Sequence, residues 1–365
     1  MDHLILPQSL LLHVFLWAAL GTLGVASVAL RAHYRGRLRD GAVAGDAYAL
    51  ALEFARRLSG ASQGDDLRRA ATAAPPAVFW AALESFTDNV GGEEWDRLSL
   101  ELHQLPVVRR EIGMLEHRSA TRRALAARHL GLLDAPNTRP ALRSAMERGP
   151  EIVTLTAALS LARLRDRSTL SWLLEHPQRT ARYGRFQLVA LIKRFGPDAH
   201  GELRRLVRAG LTEAPIHLAS VEVLGLRKEL RSRRILEGLM HSPSIEARIV
   251  ATRAVGRIGS SRSLPALQGA LGDPAWQVRA QAGRALGEIG VASVAPRLGH
   301  CLGDASWWVR RNAGYALAEL GDAGREALAS LASDSPDRFA REMAQEVLQA
   351  VEWDTESPGG VTRVE

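Results

Sequence analysis

Arg248-Ile-Val-Ala-Thr-Arg-Ala-Val-Gly256, Arg279-Ala-Gln-Ala-Gly-Arg-Ala-Leu-Gly287 and Arg310-Arg-Asn-Ala-Gly-Tyr-Ala-Leu-Ala318 are three readings of one phrase at a step of 31 residues. Arg, the small residues and the Gly/Ala position coincide in all three. The same phase reaches Arg341 downstream. Upstream it passes through His217, Arg185, Thr154 and Arg123, with a single step of 32 between 185 and 217. Self-similarity at such a period is the signature of a solenoid, in which each unit buries its apolar face against the next.

Each period resolves into two helices, because apolar residues recur at helical spacing in both halves and turn residues separate them. Val278, Ala282, Ala285, Leu286 and Ile289 form one stripe, Gly290 ends that helix, and Pro296, Leu298 and Leu302 belong to the next. Gly303-Asp304-Ala305-Ser306 then turns the chain. Pro140, Pro265 and Pro296 fall near a helix start, whereas Pro243, Pro274 and Pro336 fall in the turn. In both places a missing N–H costs least. These residues resemble the HEAT repeat, in the short form of bacterial proteins and phycobilin-lyase-like domains, over residues 119–352 and most strongly over 241–322. The resemblance implies an all-α fold, a right-handed α-solenoid of about eight two-helix repeats.

From His3 to Leu30 there is no Asp, Glu, Lys or Arg, and residues 10–30 form an apolar run of 21. At 1.5 Å per residue a helix of this length spans roughly 30 Å, a hydrocarbon core. Arg31, Arg35, Arg37 and Arg39 follow at once, so the positive-inside rule leaves residues 1–9 outside and everything after Arg31 in the cytoplasm. A cleaved signal peptide would place its basic residues before the run. The expected order is therefore an outer N-terminus (1–9), a single transmembrane helix (10–30), a basic linker (31–45), a helical cap or degenerate repeats (46–118), the solenoid (119–352) and a polar tail (353–365). Within the cap, Asp46–Ser59, Pro75–Phe86 and Glu93–His117 each read as one helix.

Composition sets limits on function. One cysteine in 365 residues excludes an internal disulfide framework, and Cys301 reads as a small core residue. The net charge of +7 is carried by arginine, since Lys193 and Lys228 are the only lysines. No phosphate loop, HExxH, paired-cysteine motif or nucleophile elbow appears, so neither an enzyme nor a bound cofactor or metal is expected.

The phase arginines Arg248, Arg279 and Arg310, with Asp273 and Asp304 in the turns, read as a structural ladder that satisfies turn carbonyls and amides. Recognition falls instead to side chains that leave the apolar stripe at two, five and nine residues after the phase arginine. These are Gln281, Arg284 and Glu288, then Asn312, Tyr315 and Glu319, with Arg253, Arg257, Arg194 and Arg163 in other units. Trp276 and the Trp307-Trp308 pair stand just ahead of the second helices, and aromatic and arginine side chains dominate interface hot spots.

The reading favoured by these features is a membrane-tethered adaptor at the inner face of the plasma membrane. Its groove holds another protein, for example a glycosyltransferase or polysaccharide synthase. The resemblance also allows a bilin-lyase-like protein or another small-ligand protein. Nucleic-acid binding is disfavoured, because Glu222, Glu288, Glu319 and Glu346 interrupt the arginine row. The uncharged run generates a direct expectation: the full chain sediments with membranes, and removal of residues 1–30 releases a folded helical protein. Full-length chain recovered in the soluble fraction without detergent would show the anchor to be misread.

Overall fold

The computed structural model describes residues 43–87, 93–210 and 213–356. The expected membrane helix, the basic linker with Arg31, Arg35, Arg37 and Arg39, and residues 357–365 lie outside the described residues. Among those described there is no strand, and no helix is long and apolar enough to cross a membrane. The chain divides into two compact units, residues 1–145 and 146–365.

The first unit holds α1 (residues 43–58), α2 (Gly64–Ala73), α3 (Pro76–Thr87), α4 (Glu93–His103), α5 (Pro106–Met114), α6 (Ala120–Leu130) and most of α7 (Thr138–Arg148). Its core is mostly aliphatic and holds an aromatic cluster, in which Phe54 meets the edges of Phe79 and Phe86 at ring-centroid distances of 6.3 and 5.6 Å. Arg57 on α1 forms a two-point ion pair with Glu101 on α4. One expectation is corrected here. The span read as one helix from Glu93 to His117 is two, because Leu105 takes an extended conformation (ψ 142°) before Pro106, as a residue preceding proline prefers. Asp65 and Asp66 lie in the first turn of α2, where carboxylates favour the helix N-terminus.

The second unit continues with α8 (Glu151–Arg163), α9 (Arg167–Glu175), α10 (Arg185–Arg194), α11 (His200–Ala209), α12 (Pro215–Leu226), α13 (Arg233–Leu239) and α14 (Ile245–Ile258). It ends with α15 (Leu264–Ala270), α16 (Trp276–Ile289), α17 (Ala295–His300), α18 (Trp307–Glu319), α19 (Asp322–Asp334) and α20 (Arg338–Glu356). Every phase position from Thr154 to Arg341 falls on an even-numbered helix of this series, the second of its repeat. These second helices stack directly on one another from α8 to α20. Val278, Ala282, Ala285 and Leu286 of the expected stripe are all buried.

Two devices hold the step constant. Each second helix from α8 to α18 is followed within two residues by one of positive φ: Arg165 (58°), Gly196 (72°), Lys228 (50°), Gly259 (69°), Gly290 (73°) and Gly321 (69°). The left-handed residue stops the helix and turns the chain toward the next first helix. The other device is close approach. A Cβ at Gly225 would stand 2.5 Å from Ala254 Cα, one at Gly256 would stand 2.5 Å from Ala285 Cβ, and one at Gly287 would stand 2.7 Å from Ala316 Cα. Glycine eight residues after the phase position thus receives the alanine six residues after the next one.

Gly256→Ala should therefore destabilise the chain by about 1–3 kcal/mol through overpacking. Lys228→Gly should stabilise it by up to about 1 kcal/mol, relief of the left-handed strain being partly offset by unfolded-state entropy. Urea titrations of the two variants beside the parent test both signs. A neutral Gly256→Ala would mean that the second helices are free to separate.

Candidate functional site

The turns come first, because they fix the ends of the helices that carry the surface. Arg248 Nε and Nη2 donate to Asp273 Oδ2 and Oδ1 at 2.8 and 3.0 Å, and Arg279 repeats the pair on Asp304 at 2.8 Å for both bonds. Each arginine also ties its own turn, Arg248 Nη1 to Ser242 O at 3.0 Å and Arg279 Nη1 to Asp273 O at 2.9 Å. The aspartates in turn accept from the amides of Ala275 and Ser306 at 2.8 Å. Burial alone would raise both carboxyl groups. Hydrogen bonds from the arginines and the turn amides, with the attraction of the guanidinium groups, outweigh it and hold both below the ordinary carboxylate range.

Arg310 keeps the tie to its own turn, Nη1 to Asp304 O at 2.8 Å, but Ser335 stands where the next aspartate would be. Its guanidinium lies instead over the Phe339 ring, 4.7 Å from the centroid. Further upstream the ladder is rebuilt from other residues. Thr154 Oγ1 donates to Met146 O at 2.9 Å, while Arg179 reaches back to Gly149 O and to Thr154 Oγ1. Buried His217 meets Leu174 O through Nε2 at 2.8 Å.

The surface of the second helices falls into two clusters. On α14 and α16, Arg253, Arg257, Gln281, Arg284, Ala285 and Glu288 line a depression of about 170 Å³. Arg257 Nη1 lies 3.2 Å from Glu222 Oε1, Arg284 Nε donates to Glu288 Oε1 at 2.9 Å, and Arg253 Nε donates to Gln281 Oε1 at 3.3 Å. Arg185 extends the network, 3.5 Å from Glu222 and 3.6 Å from Glu246. On α18, Trp307 and Trp308 meet edge to face at 4.8 Å, yet remain 42% and 52% exposed. Arg311 stands 4.8 Å from the Tyr315 centroid and 5.8 Å from that of Trp307.

The other expected recognition residues are placed differently. Asn312 donates from Nδ2 to Ala280 O at 3.0 Å, a bond across the seam between α18 and α16. The position two residues after the phase arginine therefore faces the preceding second helix, where Val250 and Met343 are buried. Trp276, 40% exposed, begins α16 as Trp307 begins α18. Arg194 and Arg163 are exposed at the ends of α10 and α8. Sequence reasoning passed over three participants: Arg311, Arg185 and Phe339. The last is 54% exposed and stands 31 residues after Trp308, so the repeat step alone would have located it. Cys301 is buried, and burial pushes its thiol up to about 11, too high for a ready nucleophile at neutral pH.

Against known proteins, residues 267–349 match HEAT repeats and residues 247–273 match the PBS lyase HEAT-like repeat. No curated protein sequence matches the chain. Among solved structures, an engineered protein is 17% identical, with the likeness covering 84% of this chain and 99% of that one at a TM-score of 0.38. Human deoxyhypusine hydroxylase in complex with glycerol is 18% identical over 80% of this chain and 96% of its own, at 0.30. The complex of CpcE and CpcF of phycocyanin lyase from Nostoc sp. is 18% identical over 78% and 94%, at 0.25.

The ladder generates an acid-stability prediction. Because the folded pKa values of Asp273 and Asp304 are depressed, their contribution is complete above the unfolded carboxylate range, about 4, and is lost as pH falls through the folded values. Asp304→Asn should lower stability at neutral pH and flatten its fall below about pH 4. Arg279→Ala should cost about 1.5–3 kcal/mol, the scale of hydrogen bonds to charged groups, and more than Arg310→Ala, which loses no carboxylate. Chemical denaturation at several pH values measures all three.

Proposed function

We propose that this protein is a membrane-tethered cytoplasmic scaffold whose second-helix face holds a partner protein, a membrane enzyme such as a glycosyltransferase or polysaccharide synthase. One observation carries the reading. Successive second helices present arginine and then aromatic side chains in register, ending on α18 in the half-exposed Trp308 and in Tyr315 with Arg311 over its ring. Aromatic rings on a rigid helix offer large contact area at low entropic cost, the composition of interface hot spots. Helices fixed at both ends by turn hydrogen bonds hold those rings in place before a partner arrives, which lowers the ordering cost of binding. The resemblance to HEAT repeats, commonly platforms for protein partners, points the same way. The uncharged N-terminal run supports the tether, which would raise the effective concentration of any partner in the same membrane.

A lyase acting on a bilin-like ligand is the second reading, favoured by the PBS lyase HEAT-like match at residues 247–273. The depression on that face weighs against it. At about 170 Å³ it is smaller than the roughly 300–1,000 Å³ of sites that enclose a small molecule.

Affinity purification of the detergent-solubilised full chain, with mass spectrometry of what accompanies it, tests the proposal. A membrane enzyme should copurify. Trp308→Ala combined with Tyr315→Ala should weaken its binding by at least about 2 kcal/mol with little change in melting temperature. Arg310→Ala should do the reverse, lowering the melting temperature and leaving the affinity of the folded fraction unchanged. A coloured ligand in place of a protein would select the lyase. Partner binding indifferent to the Trp308 and Tyr315 changes would move the interface elsewhere.

A further inference from the structure

The depression between α14 and α16 is built around a cation that has no anion of its own. Arg257 has Glu222, Arg284 has Glu288, and Arg185 has Glu222 and Glu246. Arg253 has only the Gln281 side chain, bound through Nε at 3.3 Å, and among the described residues its two Nη nitrogens make no hydrogen bond. The four arginines and three glutamates of this network leave one positive charge in excess. A partly buried charge without a partner is costly, and a ligand that supplies the partner recovers that cost as affinity.

We propose that this depression is a subsite for a single carboxylate, the Asp or Glu side chain of a peptide segment of the partner protein, received by the Nη groups of Arg253 with Arg257 and Arg284 at its sides. The inference rests on the scaffold reading and names what that face recognises. A planar guanidinium matches a carboxylate through two parallel N–H bonds. The small floor formed by Ala285, packed against Gly256, leaves space above it for the incoming group. Charge count decides between a carboxylate and a phosphate. One excess positive charge balances one carboxylate, whereas a phosphoryl group or nucleic-acid backbone would bring further negative charge beside Glu222 and Glu288. Arg253 itself is held below the ordinary arginine pKa by burial first. Glu222 opposes that shift, and Arg185, Arg257 and Arg284 add to it, so an added anion offsets the repulsion among the arginines.

The test is a random-peptide phage library panned on the full chain in detergent. Selected peptides should carry Asp or Glu at one fixed position, and exchange of that acid for its amide should weaken binding by at least about tenfold, as for a charge-assisted two-point bond. Arg253→Gln should weaken the acidic peptide by the same factor and leave the amide peptide unchanged, and Arg253→Glu should prefer a lysine there. Should Arg253→Gln melt early, Arg284→Gln at the exposed rim gives the second measurement, with a smaller loss in the same direction. Binders without a fixed acidic position, or acidic binders indifferent to both arginine changes, overturn the subsite and leave the scaffold standing. A library that yields no binder to the parent chain overturns both. A phosphoserine peptide or duplex DNA that binds more tightly than the acidic peptide, and loses that binding in Arg253→Gln, replaces the carboxylate with a phosphate ligand.

Discussion

Everything on the second-helix face depends on how closely those helices approach. Glycine eight residues after the phase position meets alanine six residues after the next, at a distance that leaves no room for one further methyl group. At that separation, polar side chains on adjacent helices come within hydrogen-bonding reach. Arg253 reaches Gln281 across the seam between α14 and α16, and Asn312 reaches the Ala280 carbonyl across the next. The same contact sets the floor of the arginine depression, since Ala285 both receives Gly256 and lines the cavity. Larger residues at the seam would separate the helices and dissolve the polar network into independent, solvated side chains, where ion pairs contribute little.

The turns solve a second problem, that of helix ends whose carbonyls have no partner. Arg248 and Arg279 do so with one side chain bridging its own turn and the next. Where the sequence drifts, the carbonyls are still satisfied, but from a different direction. At Thr154 the phase residue is a short hydroxyl, and the guanidinium comes from Arg179, 25 residues on, where Asp273 and Asp304 stand relative to their own arginines. Arg185, at the phase position of α10, is turned to another use and pairs with Glu222 and Glu246. Each unit touches only its neighbours, so such exchanges stay local.

This explains what could be read from the chain in advance. The two-helix repeat, its step and the buried stripe were legible because they recur, and recurrence separates packing from accident. The row of positive φ was only partly legible: Gly290 announced it, but Arg165 and Lys228 occupy the same conformation and carry no glycine to mark it. The helices before residue 118 were half legible. Their core is aperiodic, so neither α2 nor the break at Pro106 had a repeat to place it. At the candidate site, helical spacing placed Arg253 and Arg284 on one face, whereas Trp308 was chosen by residue type and lies inside α18 rather than just ahead of it. Spacing misplaced Asn312, because the side of a helix that faces its neighbour and the side that faces outward differ by a rotation smaller than sequence spacing resolves.

The charge of the chain looks different once its arginines are placed. A net charge of +7 carried almost wholly by arginine invites a polyanion, and a row of arginines along a solenoid face would ordinarily strengthen that reading. Around the depression on α14 and α16 the row is nearly cancelled. Arg185, Arg257 and Arg284 are spent on Glu222, Glu246 and Glu288, which also fix their conformations. A row cancelled there has little long-range field and offers few open contacts to a phosphate backbone, whose affinity grows with the number of contacts. Its short-range pattern survives: a planar donor with open N–H groups at Arg253, bordered by carboxylates that repel any second negative charge. Aromatic side chains on α18 add contact area two helices further along. Such a surface favours one complementary sequence over many charged ones, because mismatched charges beside Glu222 and Glu288 are penalised as well as matched ones rewarded.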